Sequence, residues 1–160
     1  MTDRLDAQIA FLREADKLKS VTRANVLSDG SRFENTAEHS WHVCLWALVF
    51  ADQSHGANIP RVIQMLLLHD LVEIDAGDHP ISDDVDWQAV AQAEQAAATR
   101  LFGLLPRDQG AALHHLWQEF EQAKSPDARF AKHLDHCQPI FQTLYGAAPL
   151  PDHIDVVRGN

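Results

Sequence analysis

The chain has no run of apolar residues approaching the roughly 18 that a membrane-crossing helix requires. Its opening residues, Met1-Thr2-Asp3-Arg4-Leu5-Asp6, hold no apolar stretch of signal-peptide length. A soluble protein is therefore expected. Cysteine is scarce: Cys44 and Cys137 are the two present, with no C-x-x-C spacing, which excludes a disulfide scaffold and argues against a thiolate zinc site. A reducing, cytoplasmic setting suits such a chain. Basic residues are also in short supply. The 13 Lys and Arg face 23 Asp and Glu, for a formal net charge of −10, the wrong balance for gripping a nucleic-acid backbone. Any phosphate that it handles is expected to be small, held locally by a metal and a few cations. Alternating β-branched runs are missing too, so little sheet is expected.

What is present is Ala- and Leu-rich sequence, 46% hydrophobic over 160 residues, the length of one domain. An all-α architecture of about six helices is expected over residues 1–160. Leu5, Ile9, Leu12 and Ala15 recur at helical spacing in residues 3–19 and predict a first amphipathic helix. Residues 21–34, with Ser28-Asp29-Gly30-Ser31, read as a loop. Asn35 or Thr36 can cap a second helix with Glu38 near its third position, running through Trp41, Leu45, Leu48 and Val49. Pro60 opens a third, which ends near Gly77. Asp83 or Asp84 can start a fourth and Pro106 a fifth. Ser125-Pro126-Asp127 supplies a cap, a first-turn proline and an acidic residue for the last. Pro139 should bend that helix or end it. The four tryptophans, Trp41, Trp46, Trp87 and Trp117, are expected in the core, with a place on the pocket wall as the alternative for Trp41, and the two small thiols are expected to be buried.

The apolar segment Met65-Leu66-Leu67-Leu68-His69-Asp70-Leu71-Val72-Glu73 stands out because it sets an imidazole and a carboxylate side by side in a buried helix. An unpaired buried carboxylate costs several kcal/mol unless a partner or a metal compensates it. His39 and Asp135 lie on other helices. Two imidazoles and two carboxylates suit a divalent cation with positions to spare for water and a phosphate oxygen. The candidate ligands are thus His39, His69, Asp70 and Asp135. Glu73, four residues after His69 and three after Asp70, falls on the same side of the helix. Asp78 follows Gly77 on the loop leaving it.

The segment Glu34-Asn35-Thr36-Ala37-Glu38-His39-Ser40-Trp41-His42, the run His69-Asp70-Leu71-Val72-Glu73-Ile74-Asp75-Ala76-Gly77-Asp78, and Ala131-Lys132-His133-Leu134-Asp135 occur in that order. Together they resemble the HD-domain metal-dependent phosphohydrolase superfamily, in the branch that contains bacterial 5′-deoxynucleotidases. The resemblance runs from about residue 16 to about residue 145. It implies a helical HD-domain bundle around one divalent ion, from among Mn, Co, Ni, Fe, Zn or Mg with Mn or Co favoured. It implies Glu73 as the catalytic carboxylate with Asp78 as its helper, Arg23 and Lys132 as phosphate contacts, and a homodimer. The implied activity is removal of phosphate from (deoxy)nucleoside 5′-monophosphates by an activated water. Hydrolysis of nucleoside triphosphates or guanosine alarmones is one alternative, and a metal- or nucleotide-binding module without turnover is another.

Overall fold

The computed structural model describes residues 2–80 and 84–147. It is all-α apart from one small hairpin. The elements in order are α1 (Thr2–Ala15), β1 (Thr22–Val26), β2 (Phe33–Asn35), α2 (Thr36–Val49), α3 (Ile59–Leu68), the single turn α4 (Glu73–Ala76), α5 (Trp87–Phe102), α6 (Arg107–Gln122) and α7 (Pro126–Tyr145). Helix α3 lies at the centre, packed against α2, α6 and α7. Its face Val62, Met65 and Leu66 is fully buried and meets Val43 and Ala47 of α2, Phe120 of α6, and Ala131 and Leu134 of α7 in one apolar core.

Local signals start the helices. The Asn35 side chain accepts from the Glu38 amide while Glu38 reaches back to the Asn35 amide, a complete capping box. Asn58 caps α3 and Ser125 caps α7, each followed by a proline in the first turn. Helix α5 is capped by Asp86, which accepts from Gln88 and Ala89. It therefore starts later than Asp84, and Asp83 lies outside the described residues. Pro139 does not end α7, which continues to Tyr145. Gly110 allows a close approach: a Cβ there would sit 2.3 Å from the Phe102 carbonyl oxygen.

Three expectations are corrected. Residues 21–34 are not a plain loop, because β1 and β2 pair antiparallel, with Thr22 opposite Asn35 and Val26 opposite Phe33. The α1 stripe is not the buried face: Leu5 and Leu12 are 57% and 64% exposed, and Phe11 is buried in their place. Of the tryptophans, Trp117 is buried and Trp46 packs partly against the core, whereas Trp41 and Trp87 are exposed. Cys44 is buried and Cys137 half-buried. No helix among the described residues is long and apolar enough to cross a membrane.

Candidate metal centre

The His-Asp pair sits where the α3 helix changes winding. After Leu68 the backbone tightens into a 3-10 turn over His69–Val72 before α4 resumes. The Trp117 indole N–H donates to the His69 carbonyl at 3.1 Å, taking that oxygen as its partner. Such a tightened turn inside a helical run commonly marks a functional position. It turns His69 and Asp70 toward α2 and α7 together.

His39, from the first turns of α2, and Asp135, from the middle of α7, meet them there. Donor atoms of His39, His69 and Asp70 all lie within 4.8 Å of one another. Asp135 Oδ1 stands 3.0 Å from His39 Nε2 and 3.3 Å from His69 Nε2. Asp70 Oδ2 is 3.0 Å from His69 Nε2 and 3.8 Å from His39 Nε2. Both imidazoles are buried.

The outward nitrogens show which atoms face inward. His69 Nδ1 lies 2.8 Å from the Leu66 carbonyl oxygen, which can only accept, so Nδ1 carries a hydrogen and Nε2 is the nitrogen that offers a lone pair once the ring is neutral. His39 Nδ1 lies 2.9 Å from Gln138 Oε1, with the same consequence. In their neutral forms the two rings turn lone pairs toward two carboxylates, an arrangement that repels unless positive charge, a proton or a cation, lies among them. Nitrogen and oxygen donors with metal bonds of about 2.1 Å at right angles would stand about 3 Å apart, close to the spacings found. The donor set fits a divalent cation.

An HD-domain model matches residues 15–157, nearly the whole chain. The chain belongs to the HD-domain family. The 5′-deoxynucleotidases HDDC2 of Bos taurus and Homo sapiens are 33% and 32% identical to it over 135 residues, 84% of this chain. This HD domain spans 65% of the length of those two relatives. A crystal structure of a predicted metal-dependent phosphohydrolase from Magnetospirillum magnetotacticum superposes with TM-score 0.85 at 49% identity, covering 89% of this chain and 72% of the other. An HD-domain phosphohydrolase from Listeria innocua, 15% identical at TM-score 0.74, shares the fold.

Around this core the HD domain arranges further charges. Glu73 opens α4, and its Oε2 accepts from the Thr36 hydroxyl at 2.8 Å. Burial first, then the carboxylates of Asp70 and Asp78, push Glu73 up to about 9. Gly77, at φ +81°, ends α4 and turns the chain so that Asp78 faces Arg23. Burial also raises Asp78. Burial works against the charged form of Asp135, but His69 and His39 outweigh it and hold the carboxyl well below the usual range. For His69 burial favours the neutral ring, yet Asp70 and Asp135 raise it well above its ordinary value.

The hairpin brings Arg23 to the same place. Its Nη1 lies 3.5 Å from both Asp70 Oδ2 and Asp78 Oδ1, and its Nε 3.5 Å from Glu34 Oε2. Arg23 Nε and Glu34 Oε2 are buried without a hydrogen-bond partner among the described residues. Lys132 does not pair with Asp135. It donates to Glu121 at 2.9 Å and lies over the Phe120 ring. It still lines a cavity of about 120 Å³ with His69, Asp70, Glu73, Glu94 and Asp135. Thr36, Glu34, Glu94 and Gln138 are absent from the candidates read off the sequence. Gln138 follows Asp135 by three residues on one helix, so helical spacing from the final carboxylate is the signal that could have found it.

Proposed function

We propose that this HD domain is a metal-dependent phosphomonoesterase that releases phosphate from (deoxy)nucleoside 5′-monophosphates. The observation carrying this reading is the convergence of two imidazole lone pairs and two carboxylates beside a separately held carboxylate, Glu73. His39, His69, Asp70 and Asp135 would hold a single divalent cation, Mn²⁺ or Co²⁺ by preference. When bound, it supplies Lewis acidity that withdraws charge from a phosphoryl oxygen and acidifies water.

The chain's own groups do the rest. Glu73 is fixed through Oε2 by Thr36, which leaves Oε1 to take the proton of the attacking water. Asp78, kept prone to protonation by burial, gives a proton to the departing sugar oxygen. Water and ester thus become an alcohol and inorganic phosphate. Arg23 neutralises Asp70 and Asp78 in the resting site through Nη1 and would turn this end of its guanidinium to the phosphate. Lys132 stands on the cavity wall as a second cationic contact.

A panel of nucleoside mono-, di- and triphosphates tests the reading. Inorganic phosphate from 5′-monophosphates is expected, and pyrophosphate from triphosphates would overturn it. In the same assay Arg23→Ala should raise KM by about tenfold or more, since a charged hydrogen bond to the phosphate contributes roughly 1.5–3 kcal/mol.

A cytoplasmic homodimer completes the proposal. The thiols of Cys44 and Cys137 are free, in keeping with a reducing compartment. Trp41, Leu45 and Leu48 lie exposed on α2 and Phe141, Leu144 and Tyr145 on α7, which packs beside it, an apolar face suited to a second copy. Light scattering should report about twice the 17.9 kDa chain mass, and Trp41→Asp should return the monomer.

A further inference from the structure

Two glutamines on α7 are buried where hydrolysis asks nothing of an amide. Gln138 is completely buried and Gln142 nearly so. They form a chain of hydrogen bonds. Gln142 Nε2 donates to the Val26 carbonyl oxygen at 2.7 Å, Gln138 Nε2 donates to Gln142 Oε1 at 2.6 Å, and His39 Nδ1 donates to Gln138 Oε1 at 2.9 Å.

The chain has a direction that it cannot reverse. A backbone carbonyl only accepts, so Gln142 has to turn its amine to β1 and its oxygen to Gln138. Gln138 must then offer its amine to Gln142 and its oxygen to His39. Turning over Gln138 alone sets two oxygens against each other at the Gln142 contact. Turning over both moves the conflict to Val26. Gln138 Nε2 also lies 3.0 Å from His42 Nδ1, but the Trp46 indole N–H donates to His42 Nε2 at 3.3 Å, which puts the hydrogen of a neutral His42 ring on Nδ1. The direction of the chain therefore rests on Val26 and Gln142. Glu34 Oε2, at 3.9 Å from His39 Nδ1, is too far to replace Gln138 as acceptor.

We propose that Gln142 and Gln138 are positioning residues that fix the tautomer of His39, with the Val26 carbonyl as the origin of a one-way hydrogen-bond relay. The inference rests on the cation site proposed above. His39 obtains at two removes what His69 obtains directly from Leu66. Because Val26 lies on β1 with Arg23, the strand that carries the phosphate-facing guanidinium also orients a cation ligand.

The test measures Mn²⁺ affinity of the full chain by EPR titration, alongside the thermal midpoint without cation, for the wild type, Gln138→Leu, Gln138→Glu and Gln142→Leu. Gln138→Leu removes the acceptor and should weaken Mn²⁺ binding about 10–100-fold. Gln138→Glu still accepts from Nδ1 and should stay within about threefold of wild type. Both variants lose the amine that Gln142 needs, so both should lose thermal stability. A purely structural role would move affinity in step with stability instead. Gln142→Leu frees Gln138 to turn and should cost less affinity than Gln138→Leu.

In the Zn²⁺-loaded wild type, ¹⁵N spectra should place the His39 hydrogen on Nδ1, a readout that stands even if a variant fails to fold. Wild-type affinity in Gln138→Leu, an equal loss in Gln138→Glu, or a His39 without an Nδ1 hydrogen overturns the relay. If the wild type binds no cation, the cation site falls and the relay with it.

Discussion

Glu73→Gln should still bind its cation, hydrolyse nucleoside monophosphates about 10²–10⁴-fold more slowly, and melt at a higher temperature than the wild type. The loss follows from removing the carboxylate that Thr36 holds beside the cluster, while the amide keeps the bond from Thr36. The gain comes from the same burial. Glu73 titrates at about 9 in the folded, cation-free protein, against roughly 4.3 in an unfolded chain. The fold therefore favours its protonated form, and the stability that this contributes is whole below the unfolded value and lost as pH rises through about 9.

Glutamine cannot ionise, so the variant's advantage should grow from acid to alkaline pH and reach at least about 3 °C at pH 8. Cation should narrow the gap, because positive charge nearby stabilises the wild-type carboxylate. Differential scanning at pH 5 and pH 8, with and without Mn²⁺, separates these contributions. A variant that melts lower at pH 8, or keeps wild-type kcat, would contradict the role given to Glu73.

Asp135→Ala should have the larger effect on the cation itself, weakening Mn²⁺ by more than about 100-fold and taking hydrolysis to background. Its Oδ1 lies between both imidazoles, so its loss removes the ligand that α7 supplies. Circular dichroism should still show a helical protein, since α7 is held by apolar contacts of Ala128, Ala131 and Leu134 with the core. In the wild type, affinity should rise with pH. Asp70 and Asp135 keep His69 protonated well above its ordinary range despite burial, so proton and cation compete for Nε2. Isothermal titration across pH 6–8 checks both expectations.

The helical architecture was legible where local chemistry decides it. Asn35 with Glu38, and Ser125 with Pro126, announce their helices within four residues, and the structure has both caps in place. The α1 stripe was misread because periodicity finds an apolar face without showing which neighbour covers it. There the rest of the fold covers Phe11 and Leu18 and leaves Leu5 and Leu12 outside. The hairpin was missed because its strands, Thr22–Val26 and Phe33–Asn35, are short and polar and show no alternation.

At the site, the order of His39, His69, Asp70 and Asp135 along the chain was readable, and the structure brings the four side chains together. Their supports were not readable, apart from the helical spacing that sets Gln138 one turn after Asp135. Thr36 under Glu73, Gln138 behind His39 and Trp117 on the His69 carbonyl act through contacts between residues 37, 99 and 48 positions apart. A hydroxyl, an amide or an indole inside a helix looks like any other until the fold closes.

The most direct test of the central claim is a crystal grown with Mn²⁺ and measured at an energy where manganese scatters anomalously. One strong peak within about 2.0–2.4 Å of His39 Nε2, His69 Nε2 and oxygens of Asp70 and Asp135 is predicted. Manganese elsewhere on the protein with this cluster left bare, or His39 or Asp135 out of coordinating reach of the bound ion, would contradict it.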